Sequence, residues 1–172
     1  MAAELGPQLN DQTHRSIDLH QIGAHRWKAT NSRGGGVSIG PGEDPDFTPV
    51  ELLLAALAGC GAADLDYIAG KRAPFETFAA RAEGHKVRDE RGSHLVQLKV
   101  TFDVTFPEGA EGDAAREVLP RTLKQIGDRL CTVARTIALG EPVAYVQGEV
   151  EFAPVLGPGA DPAGVHTPAS DG

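Results

Sequence analysis

The sequence predicts an α+β fold with largely antiparallel sheets, on three observations. Strand-like and helix-like segments come in blocks (strands, one long helix, strands, two helices, a last strand) instead of alternating. Residues His94 to Phe106 alternate cleanly. Val96, Leu98, Val100, Phe102, Val104 and Phe106 fall on one side, and Leu95, Gln97, Lys99, Thr101, Asp103 and Thr105 on the other. The stretch from Thr48 to about Ala69 is apolar around nearly its whole circumference, which predicts a helix buried on most sides. One such helix in so small a domain points to burial at a dimer interface.

The elements follow in order. Residues 1–13 are polar and expected to be flexible. Ser16 to Thr30 predicts two short strands, with Ile17, Leu19 and Ile22 on one and Trp27 and Ala29 on the next, turning at Gly23. Asn31 to Gly36 is a second turn, Val37 to Ile39 a third strand, and Gly40 to Asp46 a loop. Thr48 is an N-cap candidate, Pro49 suits the first helical position, and Glu51 lies three residues after the cap. About 20 residues of helix span roughly 30 Å. Ala55, Ala56, Ala58, Gly59, Gly61, Ala62 and Ala63 make its middle slim. Glycine there costs up to about 1 kcal/mol per residue, which close approach of another backbone would offset.

Phe75 to Val87 and His94 to Phe106 are two long strands joined by a turn at Asp89 to Gly92. Asp113 to Ile126 predicts an amphipathic helix that Pro120 kinks or splits. A short helix covers Leu130 to Leu139, and Val143 to Phe152 is a last strand. Residues 153–172 carry four prolines and four glycines and have a disordered composition. The expected organisation is a single domain over residues 14–152 between a flexible start and a Pro/Gly-rich tail.

Bulk properties exclude several classes. A net charge of −8 and a pI near 5.2 oppose binding to a phosphate backbone or an anionic membrane surface. One tryptophan and two tyrosines give little for stacking bases. No uninterrupted apolar run is long enough for a membrane span, and the first residues lack the pattern of a signal peptide. The expected setting is cytoplasmic, where lasting disulfides are rare and transient ones serve catalysis or sensing.

That makes the two cysteines informative. Cys60 lies mid-helix, one turn from Ala56 and Asp64. Cys131 lies near a helix start, where unpaired N–H groups and the helix dipole favour a thiolate. Both could equally be small buried hydrophobes. They are seventy-one positions apart, a spacing that fits no metal or Cys-x-x-Cys motif and cannot show whether they meet.

The segment Thr48-Pro-Val-Glu-Leu-Leu-Leu-Ala-Ala-Leu-Ala-Gly-Cys60, with Asp64 and Lys71-Arg72 after it, resembles the reactive-thiol helix of the OsmC/Ohr family (osmotically inducible protein C and organic hydroperoxide resistance protein). Leu130-Cys131-Thr132-Val133 is similar to that family's second-cysteine helix start. Arg26-Trp27 followed by Gly34-Gly-Gly36 resembles its N-terminal strand pair, and the order of elements matches over about residues 15–152. The resemblance implies an OsmC-like fold and an intertwined homodimer with active sites at the subunit interface. It implies thiol peroxidase chemistry on organic hydroperoxides, with Cys60 attacking and Cys131 resolving. A dithiol reductant, with lipoyl-type donors as candidates, would complete the cycle. No metal, flavin or haem is implied, nor is nucleic acid or membrane a partner.

The sequence also departs from the family. Peroxidase members resemble Asn-Pro-Glu before this helix. Here Val50 follows Pro49 and the carboxylate is Glu51, turned by one helical step of about 100°. The arginine that would hold the thiolate is assigned to Arg33, beside Gly34-Gly35, with Arg26, Arg72 and Arg135 as contenders. Thr132 stands where proline commonly follows the second cysteine. These departures imply a divergent branch. A second reading of the same fold is a small hydrophobic ligand-binding or redox-sensing protein without peroxidase turnover. The six histidines are scattered and predict no zinc site.

Overall fold

The computed structural model describes residues 9–150, and they fall into two compact units. The first holds the described residues up to Thr48 and those from Gln147 onward; the second runs from Pro49 to Val146. The Pro/Gly-rich tail expected at 153–172 lies outside the described residues.

The first unit is a three-stranded antiparallel sheet in the order β1 (Asp18–Gly23), β2 (Arg26–Thr30) and β3 (Gly36–Ile39). Trp27 pairs with Gln21 on one side and Ile39 on the other. Asn31 builds the second turn, its Oδ1 accepting from the backbone N–H groups of Arg33 and Gly35 at 2.9 and 3.1 Å. Arg26 is ion-paired to Asp46 and, at 3.4 Å, to Asp44, which ties the Gly40–Asp46 loop to β2.

The second unit begins with α1 (Pro49–Leu65), whose last turn widens into a π-type turn at Asp66–Gly70. β4 (Thr77–Asp89) and β5 (Gly92–Thr105) form a long antiparallel hairpin in register from Thr77–Thr105 to Asp89–Gly92. A bulge between Glu83 and His85 shifts that register once. α2 (Ala110–Gln125) continues through Pro120, ends in a second π-type turn at Ile126–Leu130, and is followed by α3 (Thr132–Leu139). Mixed helices and antiparallel sheets are thus the observed class, as the block order of the sequence predicts.

The expected alternation of β5 is realised. Leu98, Val100, Phe102 and Val104 are half-buried, and Phe106 just beyond is buried. The core gathers Leu65, Ala69, Ala73, Phe106, Ala115, Ile126 and Cys131. Phe75 packs on Phe106 at 4.9 Å between ring centroids and edge-on to Phe78 at 5.1 Å. Full burial of Leu65 contributes about 2 kcal/mol. The β5–α2 connection is fastened by Arg116, which donates to the carbonyls of Phe106 (2.9 Å) and Pro107 (3.2 Å) and pairs with Asp113. A Cβ at Gly112 would lie 1.8 Å from the Pro107 carbonyl oxygen, so only glycine fits there.

Two expectations need correction. α1 is not buried on most sides: within it only Leu57, Gly61 and Leu65 are buried. A single hairpin and two helices fully bury one row of the helix; of its other fourteen residues seven are half-buried and seven exposed. The glycines divide accordingly. Gly61 admits the tip of the Phe102 ring, 3.0 Å from where its Cβ would be, while Gly59 faces open space. No close backbone approach explains either glycine. Second, residues 141–150 form no strand. Val143, Tyr145 and Val146 have the residue types of a strand but find no ladder partner and stand exposed.

Pro49–Gly70, at 22 residues and mean hydropathy 1.5, is long and apolar enough to cross a membrane by length and composition. Its Leu57–Gly61–Leu65–Ala69 row instead packs into the interior of its own unit.

Candidate active site

The structure brings the two cysteines together. Cys60 sits in the middle of α1, half-buried, beside the Leu57–Gly61–Leu65 row that anchors the helix to the core. It packs against the core cluster that contains Cys131. Cys131 is 2% exposed and caps α3. The π-type turn before it delivers its N–H to the Ile126 carbonyl at 3.2 Å, and its own carbonyl accepts from Arg135 N–H at 3.0 Å. Its Sγ accepts the Ala134 N–H at 3.4 Å, in the manner of a serine cap. Both thiols are reduced.

The electrostatics of Cys131 differ from the sequence expectation. The helix start does favour its thiolate, through the N–H groups of Ala134 and Val133. Burial is the larger influence, and hydrogen bonding and charge from the adjacent Cys60 act with it, so the thiol is pushed above its ordinary value. No cation figures among these influences. Cys131 is a protonated, buried thiol in contact with a more accessible one.

The remaining predicted residues divide between the two units. Glu51 lies nine residues before Cys60 on the same helix, a rise of about 13.5 Å, so the two side chains of one chain do not meet. Arg33 and Arg26 belong to the first unit, Cys60 and Cys131 to the second. Arg26 is engaged by Asp46, which raises its already high value. Arg72 donates to the Ile68 carbonyl at 2.6 Å. Arg135 is exposed on α3.

Two features escaped the sequence reading. A cavity of about 620 Å³ opens beside Cys131, walled by Leu57, Gly61, Leu98, Val100, Phe102, Ile126 and Ile137 among others. Its volume is in the range of small-molecule sites. The β5 alternation marked three of its walls, but no local pattern marks a void. The second feature is Asp64, whose Oδ2 is buried without a hydrogen-bond partner among the described residues. Its spacing of four from Cys60 was the available signal. Among the described residues no cluster of histidine, cysteine and carboxylate side chains could hold a metal ion.

Comparison with known proteins decides the family. The profile of the family described as OsmC-like protein matches residues 40–145, more than half of the chain and including both cysteines. The chain belongs to the OsmC family. An uncharacterised protein of Mycobacterium tuberculosis is 29% identical over 128 residues, covering 73% of this chain and 90% of that protein. Among solved structures, an OsmC-like protein of unknown function from Vibrio cholerae superposes with a TM-score of 0.61 at 15% identity, covering 72% of this chain and 93% of that one. An OsmC-like protein from Mycoplasma pneumoniae gives 0.55 at 14%, with 72% and 88% covered. Likeness at such identities shows the fold. These low identities agree with the departures at Val50 and Thr132.

Proposed function

We propose that this OsmC-family protein is a thiol-dependent peroxidase that reduces organic hydroperoxides in the cytoplasm as a homodimer. The observation that carries the reading is the contact between Cys60 and Cys131, seventy-one positions apart in sequence. Core packing alone can also bring two cysteines together, but a redox couple requires it.

The Cys60 thiolate attacks the distal oxygen of the hydroperoxide. The O–O bond breaks, the alkoxide leaves and takes a proton as the alcohol, and Cys60 becomes a sulfenic acid. The Cys131 thiol then attacks that sulfur and water is released with the disulfide. A dithiol donor, of lipoyl type or similar, returns both cysteines to thiols and becomes a disulfide itself. The half-exposed position of Cys60 suits the attacking role and the burial of Cys131 the resolving one.

Dimerisation is supported by the apolar surface one chain leaves open. Tyr67, Phe78, Val87, Val143, Tyr145 and Val146 are all exposed, and α1 is fully buried along one row only. In a dimer Glu51 serves the thiol of the second copy instead of its own, and Arg33 supplies the guanidinium. Consumption of cumene hydroperoxide with a dithiol, abolished by Cys60→Ser, is the expected result. Absence of turnover with dithiothreitol and dihydrolipoamide alike contradicts the reading.

The cavity favours a second reading, a carrier of a small hydrophobic ligand with structural cysteines. Thiols of the native protein that resist alkylation would favour it; a fast-alkylating Cys60 counts against it.

A further inference from the structure

Asp64 is a charged side chain without an evident structural use. It lies on the α1 helix exactly one i, i+4 step after Cys60, so the two share a face with Cβ atoms about 5–6 Å apart. Helical side chains lean toward the N-terminus, which tilts the Asp64 carboxylate back over the turn that carries Cys60. One of its oxygens, Oδ2, is buried, and no donor among the described residues reaches it. Such an oxygen costs stability unless it is used.

From these positions we propose that Asp64 is the proton carrier of the peroxide reaction. This inference rests on the peroxidase reading and assigns a group to its unassigned step. No donor among the described residues, the Cys60 thiol included, is within hydrogen-bond reach of Oδ2 in the resting protein, so one water relays the Cys60 proton to the Asp64 carboxylate, leaving thiolate and carboxylic acid. The thiolate attacks the distal peroxide oxygen, and the O–O electron pair departs on the alkoxide. The Asp64 acid gives its proton to that alkoxide. The products are Cys60 sulfenic acid, an alcohol and the original carboxylate, so the carrier is regenerated. The exchange keeps the charge of the thiol–carboxylate pair at one negative unit throughout. A partly buried helix middle tolerates this better than net ionisation.

The test varies the leaving group. An alkoxide needs a proton to depart; the acetate released from peracetic acid does not. Cys60 oxidation is measured in single turnovers on the full chain, with tert-butyl hydroperoxide and with peracetic acid. The proteins are wild type, Asp64→Asn and Asp64→Glu, matched by circular dichroism and thermal unfolding. Asp64→Asn is expected to slow tert-butyl hydroperoxide about 100-fold. It should slow peracetic acid and iodoacetamide, whose leaving groups depart unprotonated, far less, because only the deprotonation of Cys60 is lost with them. Asp64→Glu keeps the acid and recovers part of the lost rate. Equal losses with both oxidants, no loss with either, or a Glu variant as slow as Asn overturns the proposal. A wild type that iodoacetamide alkylates but neither oxidant attacks overturns the peroxidase reading itself, and Asp64's role falls with it.

Discussion

Cys60 and Cys131 touch, yet their surroundings differ in nearly everything that governs a thiol. Cys60 rides the middle of α1, half-exposed, with every nearby backbone group already bonded within the helix. Cys131 is sealed in the core at a junction of two helical segments, where backbone N–H groups are still available. A helix start alone would make Cys131 the reactive member. Burial outweighs it and keeps the proton on Cys131. The lesson is that position in an element ranks below burial when the two compete. An accessible thiol next to a protonated one is also the order of events a disulfide-forming peroxidase needs.

The largest effect expected from breaking this asymmetry is on turnover. Cys60→Ser abolishes hydroperoxide consumption. Cys131→Ser permits one oxidation per chain, seen as a dimedone-trapped Cys60 sulfenate by mass spectrometry, and then stalls. Next comes alkylation of the reduced native protein at pH 7: Cys60 should react at least about tenfold faster than Cys131, and unfolding should erase the difference. Third, Leu65→Ala opens space in the cluster that seals Cys131. It is expected to cost about 2–5 kcal/mol in chemical denaturation and to narrow the alkylation ratio.

The smallest effect is on pH dependence. Because burial raises Cys131, the folded state holds that proton more tightly than the unfolded chain. Its contribution to stability is complete below the ordinary thiol value of about 8.5 and is lost as pH rises through the folded value. Thermal unfolding of the wild type should therefore fall more steeply above that pH than that of Cys131→Ala. Parallel curves would mean that Cys131 titrates alike in both states.

Much of the fold was legible because it is written in local patterns. β5 shows its buried face in the alternation from Val96 to Phe106, and α1 announces its start at Thr48-Pro49. What failed depends on neighbours. The strand expected at Val143–Phe152 has suitable residue types, but a strand needs an edge to pair with, and residues 141–150 find none in one chain. The apolar circumference of α1 predicts that something covers it without saying what, and one chain fully buries a single row. At the site, the helix carrying Cys60 and the short helix after Cys131 could be placed, while their meeting could not. The unpartnered Oδ2 of Asp64 was invisible because an orphaned atom is defined by what surrounds it.

The most direct test of the central claim is to treat the reduced protein with one equivalent of cumene hydroperoxide and map its thiols by peptide mass spectrometry. A Cys60–Cys131 disulfide within a single chain, formed without added catalyst and reversed by a dithiol, is the predicted result. Two thiols left reduced, or Cys60 oxidised past the sulfenate with Cys131 never joined to it, would contradict the account.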